Sequence, residues 1–188
     1  MKIHQLFASA LLAVTLLSGC GPRYYNNSVE DEDLVEVSYS AIDQLLLGLK
    51  QPLPHGSLIV INSLVNVDDM GQTLPFGRIV SDQLTSAMSR AGYRVMGMEL
   101  PTEIFEKNDA GILELPEETR AALNNVHANA FVYGTYAAGR KTVYVSLVVV
   151  DIATQDIVSS FDYSTPMGPD AKRLVTPPEP KDKDNSQE

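Results

Sequence analysis

Four groups of side chains in this 188-residue chain are of types that do chemistry: one cysteine, the loop carboxylate pair Asp68-Asp69, three histidines and a Phe76-Gly77-Arg78 cluster. Asp68 and Asp69 could bind Ca²⁺ together with loop carbonyls. Adjacent residues project in different directions, however, so without a third group the pair reads as a solvated turn at a strand end. His4, His55 and His127 are scattered, and a zinc site needs convergent histidines and thiolates. No metal and no other cofactor is therefore expected. The chain has no Gly-x-Ser-x-Gly elbow and no acid, base and nucleophile that can be assembled, so an enzyme is not expected. Gly134-Thr135-Tyr136 lacks the following helix that a phosphate loop requires, and reads as close strand packing under an aromatic ring. Arg78, in the first turn of a helix, opposes the helix dipole. It is either placed for a partner's carboxylate or is an exposed arginine with a packed stem.

The cysteine is the most specific of these. Cys20 follows Leu17-Ser18-Gly19 directly, after a positive start at Met1-Lys2 and an apolar run from Leu6 to Leu17. That run is well short of the ~20 residues a membrane-spanning helix needs. The pattern resembles a bacterial lipobox; the alternative is an ordinary secretory leader with a stray cysteine. The resemblance implies cleavage between Gly19 and Cys20, with a diacylglycerol thioether and an N-acyl chain (palmitate) on Cys20. One acyl chain anchors reversibly, whereas several hold a protein at a membrane essentially for good. Gly21 at the second mature position resembles the outer-membrane sorting pattern. With no second cysteine, disulfides play no part in folding.

The chain is acidic, with a formal net charge of −10, and loss of Lys2 with the leader makes it more so. Nucleic acid and anionic lipid headgroups should repel such a molecule as a whole. Nucleic-acid binding is thus disfavoured, and membrane attachment is assigned to the lipid rather than to a basic patch. With 44% apolar residues a proper core can form. The eight tyrosines suit strand faces and half-buried contacts.

The elements that must position these groups follow from periodicity. Leu34, Val37, Ala41, Ile42, Leu45, Leu46 and Leu49 predict a helix from 34 to about 50, with acids before it, Lys50 near its end and Pro52 and Pro54 as its stop. Leu58-Ile59-Val60-Ile61 lies in a buried strand over 57–64. A polar loop, Val65 to Pro75, leads into a helix striped by Phe76, Val80, Leu84, Ala87 and Met88 and stopped by Gly92. Tyr93 to Met96 is a short strand, and a short helix is expected around Thr102 to Lys107. Pro116-Glu117-Glu118 opens a helix that runs to about His127. Ala130–Ala138, Thr142–Asp151 and Ile157–Tyr163 are joined by turns short enough to force an antiparallel meander. Thr142–Val150 is expected to be covered on both faces. The fold class is α/β: a mixed sheet covered by helices, ending in an antiparallel three-stranded meander. The organisation is a signal peptide over 1–19, a flexible tether over 20–33, a folded domain over 34–164 and a Pro-rich acidic disordered tail over 165–188.

The ordered set Ala41-Ile42-Asp43-Gln44-Leu45, Leu58 to Asp69, Phe76-Gly77-Arg78-Ile79-Val80-Ser81-Asp82-Gln83-Leu84, Ala91-Gly92-Tyr93-Arg94-Val95 and Val132-Tyr133-Gly134-Thr135-Tyr136 resembles the FlgO family of flagellar outer-membrane lipoproteins. The resemblance spans Leu34 to Tyr163. It implies a lipid-anchored outer-membrane location facing the periplasm and a role in motility as a component or assembly factor of the flagellar apparatus. It supplies no catalytic residue. A looser similarity to curli-secretion lipoproteins and to the N-terminal domain of TolB supports the fold. Expected partners are the outer membrane, through the lipid, and flagellar or envelope proteins, bound by a sheet edge or helix face; self-association into an oligomer is also compatible. Tyr133, Tyr136, Tyr144 and Tyr163 would suit such a contact. The alternative is an envelope-assembly or peptidoglycan-binding lipoprotein unrelated to flagella, with the Val65–Pro75 loop as its lining.

Overall fold

The computed structural model describes residues 29–70, 73–98, 106–107 and 113–178. Gly19, Cys20 and the rest of the leader and tether up to residue 28 lie outside the described residues, as do residues 179–188.

Helix α1 (Leu34–Leu47) starts where Asp33 accepts the Val35 and Glu36 N–H groups at 2.9 and 3.3 Å. It ends at Gly48, ahead of the expected proline stop. Ser159 donates to the Leu45 carbonyl at 2.7 Å, and a Cβ on Gly48 would meet that same hydroxyl at 2.9 Å. Lys50 does not serve the helix end: its backbone N–H donates to Val158 O at 3.1 Å and its ammonium to Ile157 O at 3.0 Å.

Strand β1 (Leu58–Asn62) is buried along its whole length, as its unbroken apolar run predicts. It continues after a break as β2 (Val65–Asn66), then α2 (Pro75–Arg90) and β3 (Arg94–Met98). Pro75 occupies the first turn of α2, and Gly92 adopts φ 93° just beyond its end, which explains the glycine there. Two short strands, β4 (Glu106–Lys107) and β5 (Leu113–Glu114), pair antiparallel. Residues 106–107 are therefore strand rather than the end of a helix, while 102–105 lie outside the described residues. Helix α3 (Glu117–Asn125) carries Glu117 and Glu118 in its first turn.

The last strands are β6 (Ala130–Ala138), β7 (Thr142–Asp151) and β8 (Ile157–Pro166). The sheet order is β3-β1-β6-β7-β8, with β2 also beside β6. Pairing is parallel from β3 to β6 and antiparallel from β6 to β8, so the sheet is mixed and ends in the predicted meander.

Helices α1 and α2 cover one face, where Ile42, Leu45, Phe76, Leu84 and Met88 meet Ile59, Val132, Val145 and Leu147. On the other face Leu123 of α3 joins Val60, Leu115, Phe131 and Val150. Because α3 reaches only that end, β7 is not covered on both faces. Val143, Val145, Leu147 and Val149 are buried, but Tyr144 is 58% exposed and Ser146 is open to solvent.

The segment read as a disordered tail begins with structure. Thr165 and Pro166 finish β8, and α4 (Pro169–Leu174) follows, with Ala171 buried against the core beside Met167, Leu174 and Val175. Asp31 secures it by accepting the Asp170 and Ala171 N–H groups at 2.8 and 3.0 Å. The end of the tether and the start of the tail thus hold each other.

Candidate interaction surface

The structure separates the residues singled out by chemistry. Asp68 and Asp69 are exposed on a turn closed by Asn66, whose side chain accepts the Asp68 N–H at 3.1 Å and whose carbonyl accepts the Asp69 N–H at 3.2 Å. His55 lies parallel to Tyr93 with centroids 6.4 Å apart, and His127 adopts φ 57° after α3. Among the described residues no three His, Cys, Asp or Glu side chains converge as a metal site. Arg78 is exposed and forms no ion pair with a described residue.

Gly134-Thr135-Tyr136 is a packing motif. A Cβ on Gly134 would meet Leu147 at 2.6 Å and the Ser146 carbonyl at 2.9 Å, and the Tyr136 ring lies 5.1 Å from that of Phe76. Here the chain also carries a feature that the sequence reading missed. Ile61 sits opposite Val132 and Val65 opposite Thr135, so residues 62–64 face only 133–134 and the chain gains one residue at the break between β1 and β2, next to which lies Leu64. Its N–H is accepted by Ser81 at 3.0 Å, and that hydroxyl donates toward the Gly77 carbonyl at 2.8 Å.

Of the four tyrosines expected to present a contact surface, only Tyr144 is largely exposed. Tyr136 belongs to the core, and burial raises its phenol pKa, opposed by the Leu74 backbone. Burial pushes the phenols of Tyr133 and Tyr163 up to about 12; the Ser38 hydroxyl opposes the rise at Tyr163. The apolar bodies of these rings are used within the domain, Tyr133 against the α3-side core and Tyr163 beneath α1.

The sheet margin is open to a partner. Among the described residues strand β8 pairs with β7 alone, and only Lys50 bonds to the backbone of its outer side, at Ile157 and Val158. A groove of about 320 Å³ runs beside it, lined by Glu32, Glu36, Ser40, Phe161, Tyr163 and Ser164. Strand β3 forms the other margin and, among the described residues, pairs only with β1. Edges of this kind can accept an added strand, with backbone hydrogen bonds supplying affinity and flanking pockets supplying choice.

A family model described as FlgO protein matches residues 39–170, most of the chain. No curated protein sequence matches it. Among solved structures, the LpoB C-terminal domain from Salmonella enterica superposes with a TM-score of 0.52 at 12% identity, covering 71% of this chain and 98% of that one. The LpoB C-terminal domain from Escherichia coli gives 0.51 at 13% identity, with 71% and 98% covered. At these identities the likeness is one of fold.

Proposed function

This chain belongs to the FlgO protein family, and from that premise we propose that it is a non-enzymatic outer-membrane lipoprotein. It is anchored through Cys20, faces the periplasm, and serves as a component or assembly factor of the flagellar apparatus needed for motility. The family match over residues 39–170 carries this reading. The lipobox Leu17-Ser18-Gly19-Cys20 supports the anchor. The scattering of Asp68, Asp69, His55 and His127 supports a binding role over catalysis. The open margin along β8 offers the surface by which another envelope protein would be engaged.

Deleting the gene in its flagellated host should abolish swimming and leave general envelope integrity intact. Complementation with Cys20→Ser should fail to restore it, and mass spectrometry of the native protein should find Cys20 acylated. Normal motility in the deletion strain would refute the flagellar role, and a free thiol at the mature terminus would refute the anchor.

The fold shared with the LpoB C-terminal domains supports the second reading, an envelope-assembly or peptidoglycan-binding lipoprotein without a flagellar role. Retention of the protein on purified sacculi, together with normal swimming of the deletion strain, would favour it.

A further inference from the structure

Four of the fourteen basic residues gather at one end of the sheet. Arg140 and Lys141 form the turn between β6 and β7, and Lys172 and Arg173 lie in the last turn of α4. The two segments are tied together, since the Met167 N–H donates to Lys141 O at 2.8 Å. Val29, Arg140, Lys141, Met167, Lys172 and Val175 line a groove of about 450 Å³. Lys172 is shared with an adjoining groove of about 590 Å³ that Arg173 also borders. None of the four cations pairs with a carboxylate among the described residues, where Arg120 with Glu117 is the ion pair formed. Acids close in sequence are engaged elsewhere: Asp31 caps α4, Asp33 caps α1 and Glu32 lines the groove beside β8. Glu30 and Asp170 remain nearby.

The position of Val29 gives this patch a partner. Cys20 precedes Val29 by nine residues, and a chain extends by at most ~3.6 Å per residue, so the acyl anchor lies within roughly 32 Å of the groove. Strand β7 rises ~3.4 Å per residue, which puts the opposite turn, Ala153 to Asp156, about 30 Å farther along the sheet. The end carrying the cations is the end at which Val29, and with it the path to Cys20, meets the domain.

We propose that Arg140, Lys141, Lys172 and Arg173 form a docking surface for anionic phospholipid headgroups of the leaflet that holds the acyl chains, so that the domain sits end-on against the membrane. The proposal rests on acylation of Cys20. The chain's overall negative charge opposes it only weakly. Exposed charges act over a Debye length of ~8 Å at physiological salt, so the headgroups respond to the four local cations more than to acids on the far surfaces. Each such cation favours the anionic surface by roughly fivefold.

The chain contains no tryptophan, which allows a single reporter to be placed at either end. Acylated mature protein carrying Ala138→Trp, at the groove, or Ala153→Trp, at the far turn, is reconstituted in phosphatidylethanolamine vesicles with or without phosphatidylglycerol and a headgroup-region spin-label quencher. The groove reporter should be quenched while the far reporter stays near its unquenched intensity, in phosphatidylglycerol vesicles only, and 1 M salt (Debye length ~3 Å) should remove the difference. Combined reversal, with Arg140→Glu, Lys141→Glu, Lys172→Glu and Arg173→Glu, should also remove it while the protein stays vesicle-bound and its urea midpoint is retained. Equal quenching at both ends, or a difference that survives reversal, overturns the proposal. So does loss of swimming on reversal without any change in quenching, which would assign the surface to an acidic protein. Failure of the anchor reads out differently: an unmodified Cys20 and release from both vesicle types, which removes both readings.

Discussion

The carbonyl of Leu64 sets how closely α2 can approach the sheet. That carbonyl, in the break between β1 and β2, lies against the helix, and a Cβ on Gly77 would overlap it. Both groups are backbone, so neither can rotate away. Gly77→Ala should therefore destabilise the domain by about 2–3 kcal/mol, read as a lower urea midpoint. Ser81→Ala acts on the same feature by another route. It leaves the buried Leu64 N–H without its acceptor, at a cost of about 1–3 kcal/mol. Tyr163 behaves in the opposite way at neutral pH. Its buried hydroxyl has no hydrogen-bond partner of good geometry among the described residues, so Tyr163→Phe should leave stability at pH 7 unchanged or slightly raised. Its phenol ionises near 12 in the folded state and near the ordinary 10.0 when unfolded. The domain's stability is therefore untouched by this phenol below pH 10 and falls as pH climbs from 10 toward 12, with a slope of up to about 1.4 kcal/mol per pH unit. An alkaline titration of unfolding should show a shallower limb for the phenylalanine variant; identical limbs would reject the assignment.

Among the elements, those with long hydrophobic periods were legible in the sequence. Helix α2 runs from its proline to just before Gly92, and the meander strands begin where β-branched and aromatic residues begin. Elements decided by a distant residue were not. Gly168-Pro169-Asp170 is a plausible helix start, but a helix this short cannot hold itself in water. Its cap is Asp31, 139 residues earlier. Prolines on either side of it read locally as a tail, and only the tertiary contact decides otherwise. The early end of α1 has the same cause, because Ser159 on β8 takes the Leu45 carbonyl. The candidate site divides in the same way. The packing role of Gly134 and Tyr136 could be read from their types, whereas the basic cluster draws on two segments that meet only in the fold. Asp31→Ala should cost about 1 kcal/mol. The loss should be local, with faster hydrogen exchange in α4 and in the turn at Lys141, to which Met167 is bonded. Uniformly faster exchange across the sheet would mean that α4 is part of the global folding unit instead.

At the scale of the whole molecule, the two margins of the sheet are unequal. Strand β3 offers five residues, including Gly97 and a partly exposed Met96. Strand β8 runs for ten, of which Ile157 and Val158 are bonded by Lys50, and alternates half-buried Phe161 and Tyr163 with exposed Ser160, Asp162 and Ser164. A longer regular edge presents more unpaired backbone groups, and the groove beside β8 can receive side chains of an added strand. Protein edges that must stay solitary commonly carry lysines, which cannot be buried by an incoming strand at low cost. The exposed positions of β8 beyond Lys50 hold none. Installing them tests whether this margin is used. Asp162→Lys with Ser164→Lys changes only solvent-facing side chains, so the thermal midpoint should move by no more than about 0.5 kcal/mol in equivalent stability. Association through β8 should nevertheless fail. The variant should remain in the membrane fraction but no longer co-purify with flagellar basal structures, and swimming should fall toward the deletion phenotype. The matched change on the other margin, Met96→Lys, should leave both readouts near wild type. Equal motility in all three strains would show that neither margin is the binding surface and would move the contact to the exposed sheet face around Tyr144.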